Sequence, residues 1–68
     1  MALREVIRKH GLNQAEIARS IDVQPETLSR WANGHVRPSG DNLVRLLTHL
    51  RKYEPKLQAA ELMNRKSA

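Results

Sequence analysis

Residues 14–34 read Gln14-Ala15-Glu16-Ile17-Ala18-Arg19-Ser20-Ile21-Asp22-Val23-Gln24-Pro25-Glu26-Thr27-Leu28-Ser29-Arg30-Trp31-Ala32-Asn33-Gly34. Ile17, Ala18 and Ile21 make one short apolar stripe at helical spacing, and Leu28, Trp31 and Ala32 make a second. Asn13 stands where a side chain can cap the free N–H groups of the first segment, with Glu16 three residues on in a capping-box pattern. Pro25 opens the second segment at the first helical position, where its missing N–H costs nothing. Asn33-Gly34 tolerates positive φ and ends it. Asp22, Val23 and Gln24 form a three-residue corner between the two helices, with the small Ala18 at their closest approach. Two short helices around such a corner leave the far side of the second free to meet something else.

The flanking sequence extends this pattern. Leu3, Val6 and Ile7 fall on one face of a helix running from about Ala2 to His10, stopped by Gly11. Glu5 and Lys9 are spaced for a surface ion pair. After a loop through His35, Val36, Arg37 and Pro38, Ser39 is placed to cap a fourth helix carrying Leu43, Leu46, Leu47 and Leu50. Asp41 suits the positive end of that helix dipole. Pro55 is read as restarting a fifth helix to about Lys66, with Ala59, Leu62 and Met63 on one side and Leu57 on another. These last apolar residues fit equally a flap over the core and half of a dimer interface. No stretch alternates as a strand does. The sequence predicts one all-α domain over residues 1–68, a compact bundle of five short helices with a helix-turn-helix at 14–34 and a dimerisation or capping helix within 55–68.

Composition narrows the function. Twelve Lys and Arg against seven Asp and Glu give a net charge of +5 and make a polyanion the first candidate partner. A chain of 68 residues buries only about 60% of its unfolded surface. With no cysteine it has neither disulfides nor a cysteine zinc site. His10, His35 and His49 lack metal-ligand spacing. Leu43 to Leu50 is interrupted by Arg45, Thr48 and His49, so no bilayer span is expected, and Met1 to Lys9 has no secretory h-region. There is no Ser–His–Asp spacing or phosphate-cradling glycine loop, so an enzyme is rejected. No cofactor or small-molecule ligand is expected, and the location implied is cytoplasmic, in a bacterium or a phage-infected cell.

On a helical wheel Glu26, Ser29, Arg30 and Asn33 cluster opposite Leu28, Trp31 and Ala32, with Gln24 and Pro25 at the leading end. An ordinary solvated face would look similar. On a basic two-helix unit these forked and short polar groups suit base edges in a major groove. Arg30 fits guanine O6 and N7. Glu26 can accept from a cytosine amino group or orient Arg30 four residues on. Trp31 is assigned to the core, His35 to an exposed loop, and Arg4, Arg8, Lys9 and Arg19 to surface charge able to border a nucleic-acid backbone. Arg45, Arg51, Lys52 and Lys56 are read as solvated.

The run from Gln14 to Gly34 resembles the helix-turn-helix of the phage repressor and Cro-type family, the XRE family. Leu12-Asn13 before it, His35-Val36-Arg37-Pro38-Ser39 after it and the leucine-rich fourth helix fit as well, so that the likeness covers about residues 2–52. The resemblance implies a sequence-specific regulator that docks its third helix in the major groove of double-stranded DNA, most simply a repressor binding a palindromic operator as a homodimer. It further implies base contacts from Pro25, Glu26, Ser29 and Arg30, with Gln24 and Thr27 touching bases or adjoining phosphates. Phosphate contacts are implied for Gln14, Asn33 and Arg37. The chain departs from the family at Asp22, where glycine is usual, at Pro25, where glutamine or serine is common, and after Tyr53. A protein-binding module, antitoxin or adaptor on the same fold is the alternative.

Overall fold

The computed structural model describes residues 2–63, for Met63 the backbone alone. Five helices follow in order: α1 Leu3–His10, α2 Gln14–Ser20, α3 Pro25–Ala32, α4 Gly40–Leu50 and α5 Ala59–Met63. No strand occurs among the described residues. α2 packs most extensively on α3, α4 packs on α5, and α1 and α4 rest on α3 and α2.

The predicted stripes meet in a single core. Val6, Ala18, Leu28, Leu46 and Leu50 are completely enclosed, and Leu3, Ile17, Ile21 and Trp31 are nearly so. Ile7, Leu12, Val23, Ala32, Leu43 and Leu47 pack half-buried around them. Burying a leucine or isoleucine contributes roughly 1.5–3 kcal/mol. Such contacts supply most of what a disulfide-free chain of this length has available. Pro38, assigned from sequence to an open loop, is buried.

The first three helices stop in the same way. A residue with left-handed backbone follows each: Gly11 (φ 61°), Asp22 (φ 62°) and Gly34 (φ 80°). The next two amides then turn back onto orphan helix carbonyls. Gly11 and Leu12 donate to Arg8 and Ile7, Asp22 and Val23 to Arg19 and Ala18, and Gly34 and His35 to Trp31 and Arg30. These are Schellman endings, each removing two unsatisfied acceptors. Asp22 therefore takes up the left-handed turn that its short polar side chain tolerates.

Helix starts depart from expectation in two places. Asn13 caps α2, its Oδ1 accepting from the amides of Ala15 (2.8 Å) and Glu16 (3.2 Å). No bond from the Glu16 carboxylate to the Asn13 amide accompanies this among the described residues. The carboxylate-to-amide half of a capping box forms at α1 instead, where Glu5 Oε1 accepts from the Ala2 amide at 2.8 Å. Glu5 is thus used as a cap and not as the partner of Lys9. Ser39 occupies the N-cap position of α4 but makes no side-chain capping bond. Gly40 follows it with φ 56°, so the chain enters α4 without the right-handed first residue on which an ordinary serine cap depends.

The fifth helix starts later than predicted. Residues 51–56 are mostly turn, Pro55 lies within a turn, and α5 begins at Ala59. The amide of Gln58, just before α5, donates to Glu61 Oε1 at 3.0 Å, and the helix starts four residues after Pro55. Leu57 is buried from the connecting segment and Leu62 from α5. Both complete the core of their own chain. The predicted continuation to Lys66 and the side chain of Met63 lie outside the described residues.

Candidate nucleic-acid interface

α2 is seated by Ile17, Ala18 and Ile21, which fixes where the corner begins. The corner has four residues, Ile21 to Gln24, one more than the sequence suggested, because α2 ends at Ser20. Ile21 stays buried and Val23 half-buried, so both ends of the turn are anchored in the core. Arg45 reaches across from α4 and its Nη1 approaches the Ile21 carbonyl at 3.5 Å. This cation sits at the negative end of the α2 dipole, where it is favourably placed. Arg45 is otherwise exposed, as expected from sequence, and only this contact is unforeseen.

α3 leaves this corner with Pro25 at its first position. Leu28 is fully enclosed and Trp31 is 7% exposed, so the helix is held by one side only. On the other side Glu26 and Arg30 are exposed and Ser29 is half-exposed. Gln24 and Pro25 are exposed at the leading end, and Thr27 is half-buried beside them. Asn33 is exposed at the trailing end, its Nδ2 donating to Ser29 Oγ at 3.4 Å. No ion pair joins Glu26 to Arg30 among the described residues, so the carboxylate does not steer the guanidinium here. Both groups are left with their hydrogen-bonding capacity unspent.

The remaining predicted contacts come from other elements. Gln14 is half-buried in the first turn of α2, beside the capped amides. Arg37 is exposed in the α3–α4 loop and lines a common groove with Asn33. His35 is exposed in the same loop. The structure thus gathers Glu26, Ser29, Arg30 and Asn33 on one face of α3, flanked by Gln24 and Pro25. Arg37 lies near the end of that face.

A projecting helix with a buried tryptophan and free polar groups, locked to its predecessor by a left-handed corner, defines a helix-turn-helix domain. A family model described as helix-turn-helix matches residues 2–57, five residues further than the likeness seen in the motif and the fourth helix. The chain belongs to this family, in its XRE or Cro type, and is a DNA-binding transcriptional regulator. The match takes in Leu57, which the fold uses to close its core. No curated protein and no solved structure matches the chain. Among the described residues no helix is long and apolar enough to cross a membrane.

Proposed function

We propose that the protein is a sequence-specific repressor that binds a palindromic operator as a homodimer in the cytoplasm of a bacterium or of a phage-infected cell. Its α3 enters the major groove. Arg30 donates both arms of its guanidinium to a guanine, and Glu26 accepts from a cytosine amino group. Ser29 and Gln24 supply further base contacts, and Pro25 offers apolar contact to a thymine methyl group. Gln14, Thr27, Asn33 and Arg37 hold the phosphate backbone and fix the register of the helix. Repression follows from occlusion of a promoter.

One observation carries this reading: Arg30 is exposed and unpaired one residue away from a buried Trp31. A side chain without a structural partner, on a helix anchored by its other face, is free to be spent on a ligand. The reading as a protein-binding module, antitoxin or adaptor has less support, because the exposed face of α3 carries no aromatic or methionine centre.

Selection of bound duplexes from a random pool tests the proposal. An inverted repeat with half-site centres about one helical turn apart, roughly 34 Å, supports a dimer on a palindrome. Arg30→Ala is expected to weaken binding to the selected duplex by about 1–3 kcal/mol while leaving random duplex nearly unaffected. Equal loss on both sequences rejects base reading by Arg30.

A further inference from the structure

A groove of about 250 Å³ opens between the first turn of α1, the end of α3 and the α3–α4 loop. Arg4, Glu5, Trp31, Asn33, Val36 and Arg37 are among the residues that line it. Arg4 and Arg37 are both exposed, and neither pairs with a carboxylate among the described residues. Glu5 already accepts from the Ala2 amide at 2.8 Å. The groove therefore presents two free guanidinium groups against one engaged carboxylate. Guanidinium forks match the geometry of phosphate oxygens. The C-terminal end of α3 also lies here, and its partial negative charge favours cations beside it.

Asn33 links this groove to the reading face. It follows Arg30 by less than one helical turn and lines the groove together with Arg4. A DNA strand whose bases meet Arg30 carries its next phosphates past Asn33. Arg4 and Arg37 line the same groove as Asn33.

We propose that Arg4, on α1 and outside the helix-turn-helix, is a DNA-phosphate contact that acts with Arg37 on the backbone flanking the bases read by α3. The proposal rests on α3 being the DNA-reading helix. Arg4 adds affinity without sequence preference, and it extends the protected phosphates beyond the reach of the motif itself.

The test compares the full chain with Arg4→Gln, Arg4→Lys and Lys52→Gln. Each is titrated with the selected duplex and with a random-sequence duplex over a range of salt. Lys52→Gln removes the same charge from a different groove, on α4's side of the corner. Arg4→Gln is expected to reduce the slope of log affinity against log salt by about one and to weaken both duplexes about five- to tenfold at 0.1 M salt. Arg4→Lys restores the slope, and Lys52→Gln leaves it at the wild-type value. Phosphate-ethylation interference should lose a signal next to the bases read by the end of α3. An unchanged slope and interference pattern in Arg4→Gln, with wild-type protein binding duplex, overturns this proposal alone. Failure of the wild-type chain to bind any duplex overturns the DNA reading of α3 and the proposal with it.

Discussion

The α2–α3 unit and the closing segment at residues 51–63 are both folded against the same core, but they are held in different ways. The α2–α3 unit is held mostly by neighbours in sequence. Asn13 caps residues two and three positions on, and Val23 returns its amide to Ala18. The closing segment depends on partners from elsewhere. Glu54 Oε2 lies 2.8 Å from both Lys9 Nζ and His10 Nε2 at the end of α1. Tyr53 sits against the rings of His10 and His49, with centroids 5.8 and 6.1 Å away. Arg51 Nε donates to the Leu57 carbonyl at 2.9 Å and draws the turn shut. The helix-turn-helix is thus specified locally, and the part that seals the globule is specified across the chain.

This contrast can be broken most decisively in the core. Leu28→Ala opens a cavity where α3 is seated and is expected to cost about 2–5 kcal/mol in chemical denaturation. Leu62→Ala, on a short helix able to settle inward, is expected near the bottom of that range. Equal losses would mean that the closing segment is as integral as the motif. Asn13→Ala should cost about 1 kcal/mol through the lost cap, whereas Ser39→Ala, which removes no capping bond, should change the denaturation midpoint little. Asp22→Gly relieves the left-handed strain of the corner and is expected to raise stability by about 0.5–1 kcal/mol. A loss instead would show that the aspartate side chain contributes something to the corner beyond its tolerance of the turn.

The smallest effect is in pH. Hydrogen bonds from Lys9 and His10, with their charges, hold the Glu54 carboxyl below its ordinary range. The unfolded chain therefore takes up a proton there before the folded one does. The contribution is complete above the ordinary carboxylate range and is lost as pH falls through the depressed value. His49 is lowered from its usual 6.5 by burial and then by Lys52. Its contribution is complete above that pH and declines as the pH falls below it. Thermal unfolding between pH 8 and pH 3 should therefore show a shallow decline below about 6.5 and a second in the carboxylate range. Glu54→Gln should flatten only the second, and His49→Gln only the first.

The same contrast explains what could be read from the residues alone. Asn13, Pro25, Gly11 and Gly34 mark helix boundaries by chemistry that acts within a turn, so α1 to α4 are legible. The spacing of Leu28, Trp31 and Ala32 likewise separates the seated side of α3 from the side that carries Glu26 and Arg30. Pro55 misleads because a proline suits a tight turn as well as a helix start, and nothing near it tells which. The pairing of Lys9 with Glu54 instead of Glu5 depends on α1 ending beside the chain after α4, 45 residues later in sequence. Arg45 is exposed as expected, but its contact with the Ile21 carbonyl is not legible because the two are 24 residues apart. Arg4 reads only as one of four surface charges able to border a nucleic-acid backbone, since the folded chain alone places it in one groove with Asn33 and Arg37.

Glu26 and Arg30 project from α3 without holding anything else in place. Replacing such residues usually alters stability by no more than about 0.5 kcal/mol. The scaffold is indifferent to what those two positions spell. Duplicated copies of this chain that drift apart at 26 and 30 would keep one architecture and answer to different genetic addresses, so that new regulatory wiring arises with no new fold to invent.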